Sequence, residues 1–566
     1  MNKWHAIRLW VLVFTLISTA GIVFQVSAAP AAPIEIQISQ PDGTTFTVRQ
    51  WGDEWQNGLE TVEGYTILQG DDGWWSYAAL DSFGNLSPVL KPGGERRLAG
   101  IDSPDGLSLH IRPEKQPSLQ GAGEASGLHA QNSGSQPVLV LLVEFSDWTH
   151  MYSPTNFASS FFGANGSVKD FYLKASFNKL TLAPATESYN VGGADNDGVI
   201  GWLNLGYPHP NTAGNTGIPN QQIVKDALIA ADPYINYKSY DKDGNGYIAF
   251  DELHIVAVVA GFERSYDNHS PSIWAHRWSL NGVTPPYLDN VVLGDFYHSG
   301  GYAQFGEIHG NHQATIGVMA HEFGHDLTWP DLYDTDGSSE GVGEWSIMGS
   351  GSWNSTTGYY GSVPALPDAW LKWYQGWINP VPVNGVLSSV MISQSATNPT
   401  AYLLGNNPFG VDWDSNNHSG SGEYFLVENR NYTGYDAGLP GCGLLITHID
   451  ESVSSGNVNE LHPLVKIIEA DGKNDLVEKR NRGDTGDPFP GSTNNNLFGY
   501  NTTPNSHLYN GEDSQVEVST TSLCGSSMST SLRFGNPISY TNFVYLPLIT
   551  NGGTSAAAKP VRNGDF

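Results

Sequence analysis

Apolar and polar positions change their rhythm several times along this chain, and each change predicts a different element. From residue 30 to about 112, short apolar–polar alternations are broken by Asp-Gly, Gly-Asn and Gly-Gly pairs, which predicts a small β-rich domain. Residues 113–135 lose apolar periodicity and are rich in Gly, Ser and Gln, so they predict a linker open to proteolysis. The apolar run from Val138 to Phe145 predicts a buried strand that opens the next domain. Helical periodicity at 166–176, 219–231 and 313–327 alternates with strand patterns such as Leu253 to Ala260, so residues 136–380 read as mixed α/β. From 381 to 536 strands and turns predominate, predicting a β-sandwich-like domain. Residues 537–566 read as a tail, or a linker to a further module. The expected class is multidomain α+β.

Within the third helical pattern, Ile316, Ala320, Phe323 and Leu327 recur at spacings of four, three and four and form one buried stripe. His321, Glu322 and His325 lie off that stripe in the form H-E-x-x-H. Residues four apart share a helix face, so two imidazoles converge on one metal ion, zinc, while the adjacent carboxylate reaches a water. Asp331 stands six residues beyond His325, after Pro330 has forced the chain out of the helix, and is the expected third ligand. Asp326, Asp334 and Glu344 are the alternatives. Met348 follows in a Gly-rich turn, an expected floor beneath the metal. This order resembles the metzincin plan, with Thr328 where that pattern has Gly; Thr is a poor fit to positive φ, so either the turn differs or strain is tolerated.

A second metal site is written in YDKDGNGYIAFDEL. Asp241, Asp243, Asn245, Tyr247 and Glu252 occupy positions 1, 3, 5, 7 and 12 of an EF-hand loop, with Gly246 at the sharp turn, so Ca²⁺ is expected there. A helical pattern precedes the loop and a β-branched run follows it, which predicts a single structural loop and not a paired sensor.

Composition narrows the partners. A net charge of −31 argues against nucleic acid and anionic membranes. Lys3 and Arg8, an apolar run from Leu9 to Phe24 and then Val26-Ser27-Ala28-Ala29 read as a secretory signal cut after Ala28, so a secreted protein without a stable membrane anchor is expected. The two cysteines, Cys442 and Cys524, can pair in an oxidising compartment.

Beyond these motifs, PVLVLLVEFSDW, VKDFYLKASFNKLTL, IWAHRWSL, GEYFLVENRN and GLPGCGLLITHIDES resemble the immune inhibitor A-type metallopeptidases, and QPDGTTFTVRQWGDEW resembles their propeptide. The resemblance implies a zinc endopeptidase acting on protein or peptide substrates, made as a proenzyme with residues 30–112 as its own propeptide partner. With no cysteine there, latency is expected from a carboxylate, a histidine or steric cover. Glu322 would be the general base, with zinc on His321, His325 and Asp331. The alternative is a secreted calcium-dependent binding or adhesion protein with a degenerate protease domain. A thermolysin-like site with Glu344 as third ligand is the other rival.

Overall fold

The computed structural model describes residues 29–113, 132–212, 217–415 and 418–535. The expected signal segment, most of the linker and the tail lie outside the described residues.

The amino-terminal part is a meander of six antiparallel strands in chain order, from Glu35–Ser39 to Leu86–Pro88. Its turns carry the predicted glycines: Gly43 and Gly73 sit at φ 91° and 82°, where a side chain would be strained. Val48, Leu59, Ile67 and Tyr77 form its small core.

The next sheet has eight strands and is largely parallel. Gly134–Glu144 pairs in parallel with Leu180–Pro184, Val199–Asn204 and His254–Glu263, which in turn pairs with Tyr302–His309. His276–Trp278 closes the edge antiparallel to Tyr302–His309. The continuous apolar run of the first strand has a physical reason, since both faces are covered. Val138, Val140 and Leu142 point to the side of the sheet that carries the helix Ile316–Asp326, in one core with Val318 and Phe323. Leu139, Leu141 and Val143 face the helix Ile218–Ala231, in a second core with Ile223 and Ala227.

Two more sheets follow. Tyr402–Asn406, Glu423–Arg430, Gly443–Asp450 and Val465–Ile467 lie side by side, as do Gly385–Ser393, Ser527–Phe534 and Val516–Thr520. Ile392, Phe425, Ile446, Val518 and Leu532 share one core between them. Cys442 and Cys524 form a disulfide with Cα atoms 5.7 Å apart. Arg430, fully buried, bonds Asp436 and reaches the carbonyl of Trp345 at 2.9 Å, tying these sheets to the segment ahead of Met348. No helix among the described residues is long and apolar enough to cross a membrane.

Candidate metal centre and active site

The helix Ile316–Asp326 presents His321 and His325 from one face, their Nε2 atoms 3.1 Å apart. Asp331 Oδ1 lies 3.3 Å from the first and 3.1 Å from the second. All three residues are buried. The opposite ring nitrogens fix the tautomers: His321 Nδ1 is 2.9 Å from the carbonyl of Ile347 and His325 Nδ1 is 2.8 Å from that of Trp329. An N–H donating to each carbonyl leaves both Nε2 atoms as lone pairs. Three acceptor atoms facing one another repel unless a cation lies between them. Their spacing is close to the edge of a tetrahedron with about 2.0–2.1 Å ligand bonds, so the donor set fits zinc.

The chain leaves this helix through a left-handed residue. Thr328 has φ 74°, its N–H donates to His325, and Trp329 N–H donates to Gly324 at 3.0 Å. The glycine-like turn is therefore kept and the strain tolerated. Gln375 Nε2 donates to the Leu327 carbonyl at the same exit. Met348 holds the loop beyond: its carbonyl accepts from Leu332 N–H at 2.8 Å and Tyr333 N–H at 3.2 Å. A Cβ on Gly324 would come 2.8 Å from Met348 Sδ, so the methionine packs directly against the helix.

The alternatives to Asp331 are engaged elsewhere. Asp326 binds His254 Nδ1 at 2.5 Å and Arg277 Nε at 3.3 Å. Asp334 accepts from Ser338 and Ser339. Glu344 lines a neighbouring 440 Å³ cavity, where burial pushes it up to about 7. None of them joins the three-atom cluster. His276 is buried with Nδ1 2.7 Å from the Trp274 carbonyl, apart from the centre.

Glu322 is fully buried, and burial followed by the charge of Asp331 pushes it well above the usual carboxylate range. Its Oε1 accepts a hydrogen bond at 2.7 Å from the backbone N–H of Ala29. The segment from Ala29 onward runs through the cleft. Trp274 Nε1 donates to the Ala29 carbonyl at 2.9 Å and Trp353 Nε1 to the Pro30 carbonyl at 2.8 Å. Ala32 N–H donates to the Ser265 carbonyl at 2.7 Å, and Ala31 N–H to Gly52 of the amino-terminal meander. Two residues on from Gly52, Glu54 is 3% exposed and neither carboxylate oxygen has a partner. Burial, then the charges of Asp53 and Asp331, push it well above its ordinary value. Sequence patterning gave no sign of Ala29, Trp274 or Trp353 in the site; IWAHRWSL contains Trp274 but drew attention to its histidine.

In the second motif, carboxylate oxygens of Asp241, Asp243 and Glu252 lie within 4.8 Å of one another. Asn245 Oδ1 accepts from Tyr247 N–H at 2.7 Å, and Gly246 turns the loop at φ 86°. The helix Ile218–Ala231 precedes the loop, with a short 3-10 turn, Tyr237–Tyr240, in between. Tyr247–Ile248 and then His254–Glu263 follow as strands.

Residues 128–378 match the immune inhibitor A peptidase M6 catalytic domain. The chain is 32% identical over 283 residues to the pre-pro-metalloprotease PrtV of Vibrio cholerae serotype O1 (strain M66-2), covering 42% of this chain and 29% of that protein. It is 30% identical over 257 residues to immune inhibitor A of Bacillus thuringiensis subsp. alesti, covering 38% of this chain and 36% of that one. The match thus spans about a third of these relatives' length. The H-E-x-x-H helix, Asp331 past its left-handed exit and the Met348 turn all lie in the stretch, residues 128–378, that matches the catalytic domain of the immune inhibitor A, or M6, peptidases.

Proposed function

We propose that this protein is a secreted zinc-dependent endopeptidase, made as a proenzyme and stabilised by calcium. The observation that carries the reading is the convergence of His321 Nε2, His325 Nε2 and Asp331 Oδ1 within 3.3 Å, with Glu322 beside them. Zinc held there would supply Lewis acidity to a water and to the scissile carbonyl. Glu322 takes the proton of the attacking water and passes it to the leaving amine. The intact base favours an enzyme over an adhesion protein with a degenerate protease domain.

Latency follows from the cleft's occupant. Ala29 N–H stands on the base and the next residues fill the groove, so a substrate cannot enter. A signal cut after Ala28 would make this same nitrogen a primary amine. Glu54 adds a carboxylate buried near Asp331 and Glu322. The cover over the base is thus a main-chain segment, which is steric cover, with the Glu54 carboxylate buried nearby. The Asp241–Glu252 loop would hold Ca²⁺ and pin the strand His254–Glu263 at its amino end.

The test is casein hydrolysis by the full chain before and after limited proteolysis in residues 113–135. The expected result is activity only after the cut, lost to a zinc chelator and restored by zinc. Equal activity before and after would remove the proenzyme reading, and none under either condition would remove the peptidase.

A further inference from the structure

Resting on the peptidase reading, the contacts of Ala29 to Ala32 reveal how substrate is read on the leaving side of the scissile bond. The base must hand its proton to the nitrogen of the first leaving residue. A backbone nitrogen already stands 2.7 Å from Glu322 Oε1, that of Ala29, so Ala29 marks the first leaving-side position. Three of the polar groups that follow meet partners on the catalytic domain, Trp274 Nε1 on the first carbonyl, Trp353 Nε1 on the second and the Ser265 carbonyl on the fourth N–H, while the third N–H donates to Gly52 of the meander. Pro30 has no N–H and needs no acceptor. We infer that Trp274 and Trp353 bind the first two backbone carbonyls of the substrate's leaving half, in a groove that takes a small side chain first.

Both tryptophans are buried, at 0% and 1% exposed, and a buried indole N–H needs an acceptor. Once the amino-terminal segment has left, only solvent or substrate can supply one. The rim that presents these groups is held by a single buried carboxylate. Glu263 Oε1 accepts from Ser265 N–H at 2.9 Å, Ser265 Oγ at 2.7 Å and Ala275 N–H at 2.9 Å, and Oε2 accepts from Gly306 N–H at 2.8 Å. Ser265 and the residue after Trp274 are thereby locked to one another. Glu263 is a positioning residue for this groove.

Side-chain room follows the same course. Ala29 is fully buried within the main core, and a methyl group fills this first position.

The experiment uses the full chain after cleavage in its linker, with internally quenched peptides carrying Ala, Leu or Phe at the first leaving-side position. A fourth peptide keeps Ala there and has the second leaving-side carbonyl replaced by CH₂. On the parent enzyme the reduced peptide is expected to raise KM about three- to tenfold, the worth of one hydrogen bond, with kcat little changed. Trp353→Phe, matched for zinc content and Tm, is expected to raise KM similarly for the intact peptide and not at all for the reduced one. Ala is expected to exceed Leu and Phe at least tenfold in kcat/KM. Equal KM for intact and reduced peptides would overturn the carbonyl clamp even if Trp353→Phe failed to fold. Leu or Phe matching Ala would overturn the small first position. Peptides left uncut by an enzyme that hydrolyses casein would contradict this groove alone, and an enzyme that cuts neither would contradict the peptidase reading beneath it.

Discussion

Thr328→Gly is expected to stabilise the catalytic domain. Thr328 sits at φ 74°, and a left-handed conformation costs an ordinary L-residue about 1–2 kcal/mol. Its hydroxyl is buried without a partner, and removing such a group relieves about 1 kcal/mol. Against this, glycine costs about 0.5–1 kcal/mol of backbone entropy, and the half-buried methyl takes with it less than about 0.8 kcal/mol of burial. The balance is a gain of about 1 kcal/mol. For a unit of about 250 residues that corresponds to a Tm some 2–4 °C higher, read by calorimetry on the full chain. Thr328→Ala separates the two sources, since it removes the hydroxyl and keeps the strain. The reasoning is refuted if glycine lowers Tm. It is also refuted if alanine stabilises as much as glycine, because the backbone would then contribute nothing.

Other perturbations probe the scaffold. Burial lifts Glu307 to about 7, against hydrogen bonds from Met151 and Tyr152 N–H at 2.7 and 2.6 Å. A carboxyl raised above its unfolded value of about 4.3 keeps a proton in the fold that the unfolded chain has lost. Stability should therefore fall as pH rises from about 4.3 to 7 and level off above that. Glu307→Gln should remove that contribution to the slope of Tm against pH, and an unchanged slope counts against it. Arg430→Met leaves Asp436 buried without its cation, and Glu428 with Lys372 alone, and should cost about 3–5 kcal/mol in denaturant unfolding. A loss below 1 kcal/mol would mean the pair is not what joins the post-catalytic sheets to Trp345. Asp241→Asn should abolish a calcium-induced rise in Tm seen in the parent while zinc content stays the same; a rise of equal size in both would remove calcium from that loop.

Periodicity and motif spacing located much of this architecture, for reasons that can be named. The apolar run at 138–145 belongs to a strand covered on both faces, Gly134–Glu144, and the stripe Ile316-Ala320-Phe323-Leu327 to a helix packed on the same sheet. The helix Ala369–Tyr374 escaped notice because six residues are too few for a clear helical period, and Pro154–Phe162 because only Phe157 and Phe161 are buried after its opening proline. In the site, H-E-x-x-H was legible because both histidines come from one helix, and Asp331 because the chain must have left that helix before Pro330. What was not legible comes from distant parts of the chain: Ala29 is 293 residues from Glu322, and Trp274 is 245 from Ala29. Such meetings depend on tertiary folding, and a short run of alanines and prolines carries no sign of them.

The most direct test is zinc content measured beside casein cleavage, for the linker-cleaved parent and for Glu322→Gln. If His321, His325 and Asp331 hold the metal and Glu322 moves the proton, as proposed, the predicted result is one zinc per chain in both, with cleavage in the parent alone. Cleavage surviving in Glu322→Gln, or no zinc in either protein, would contradict it.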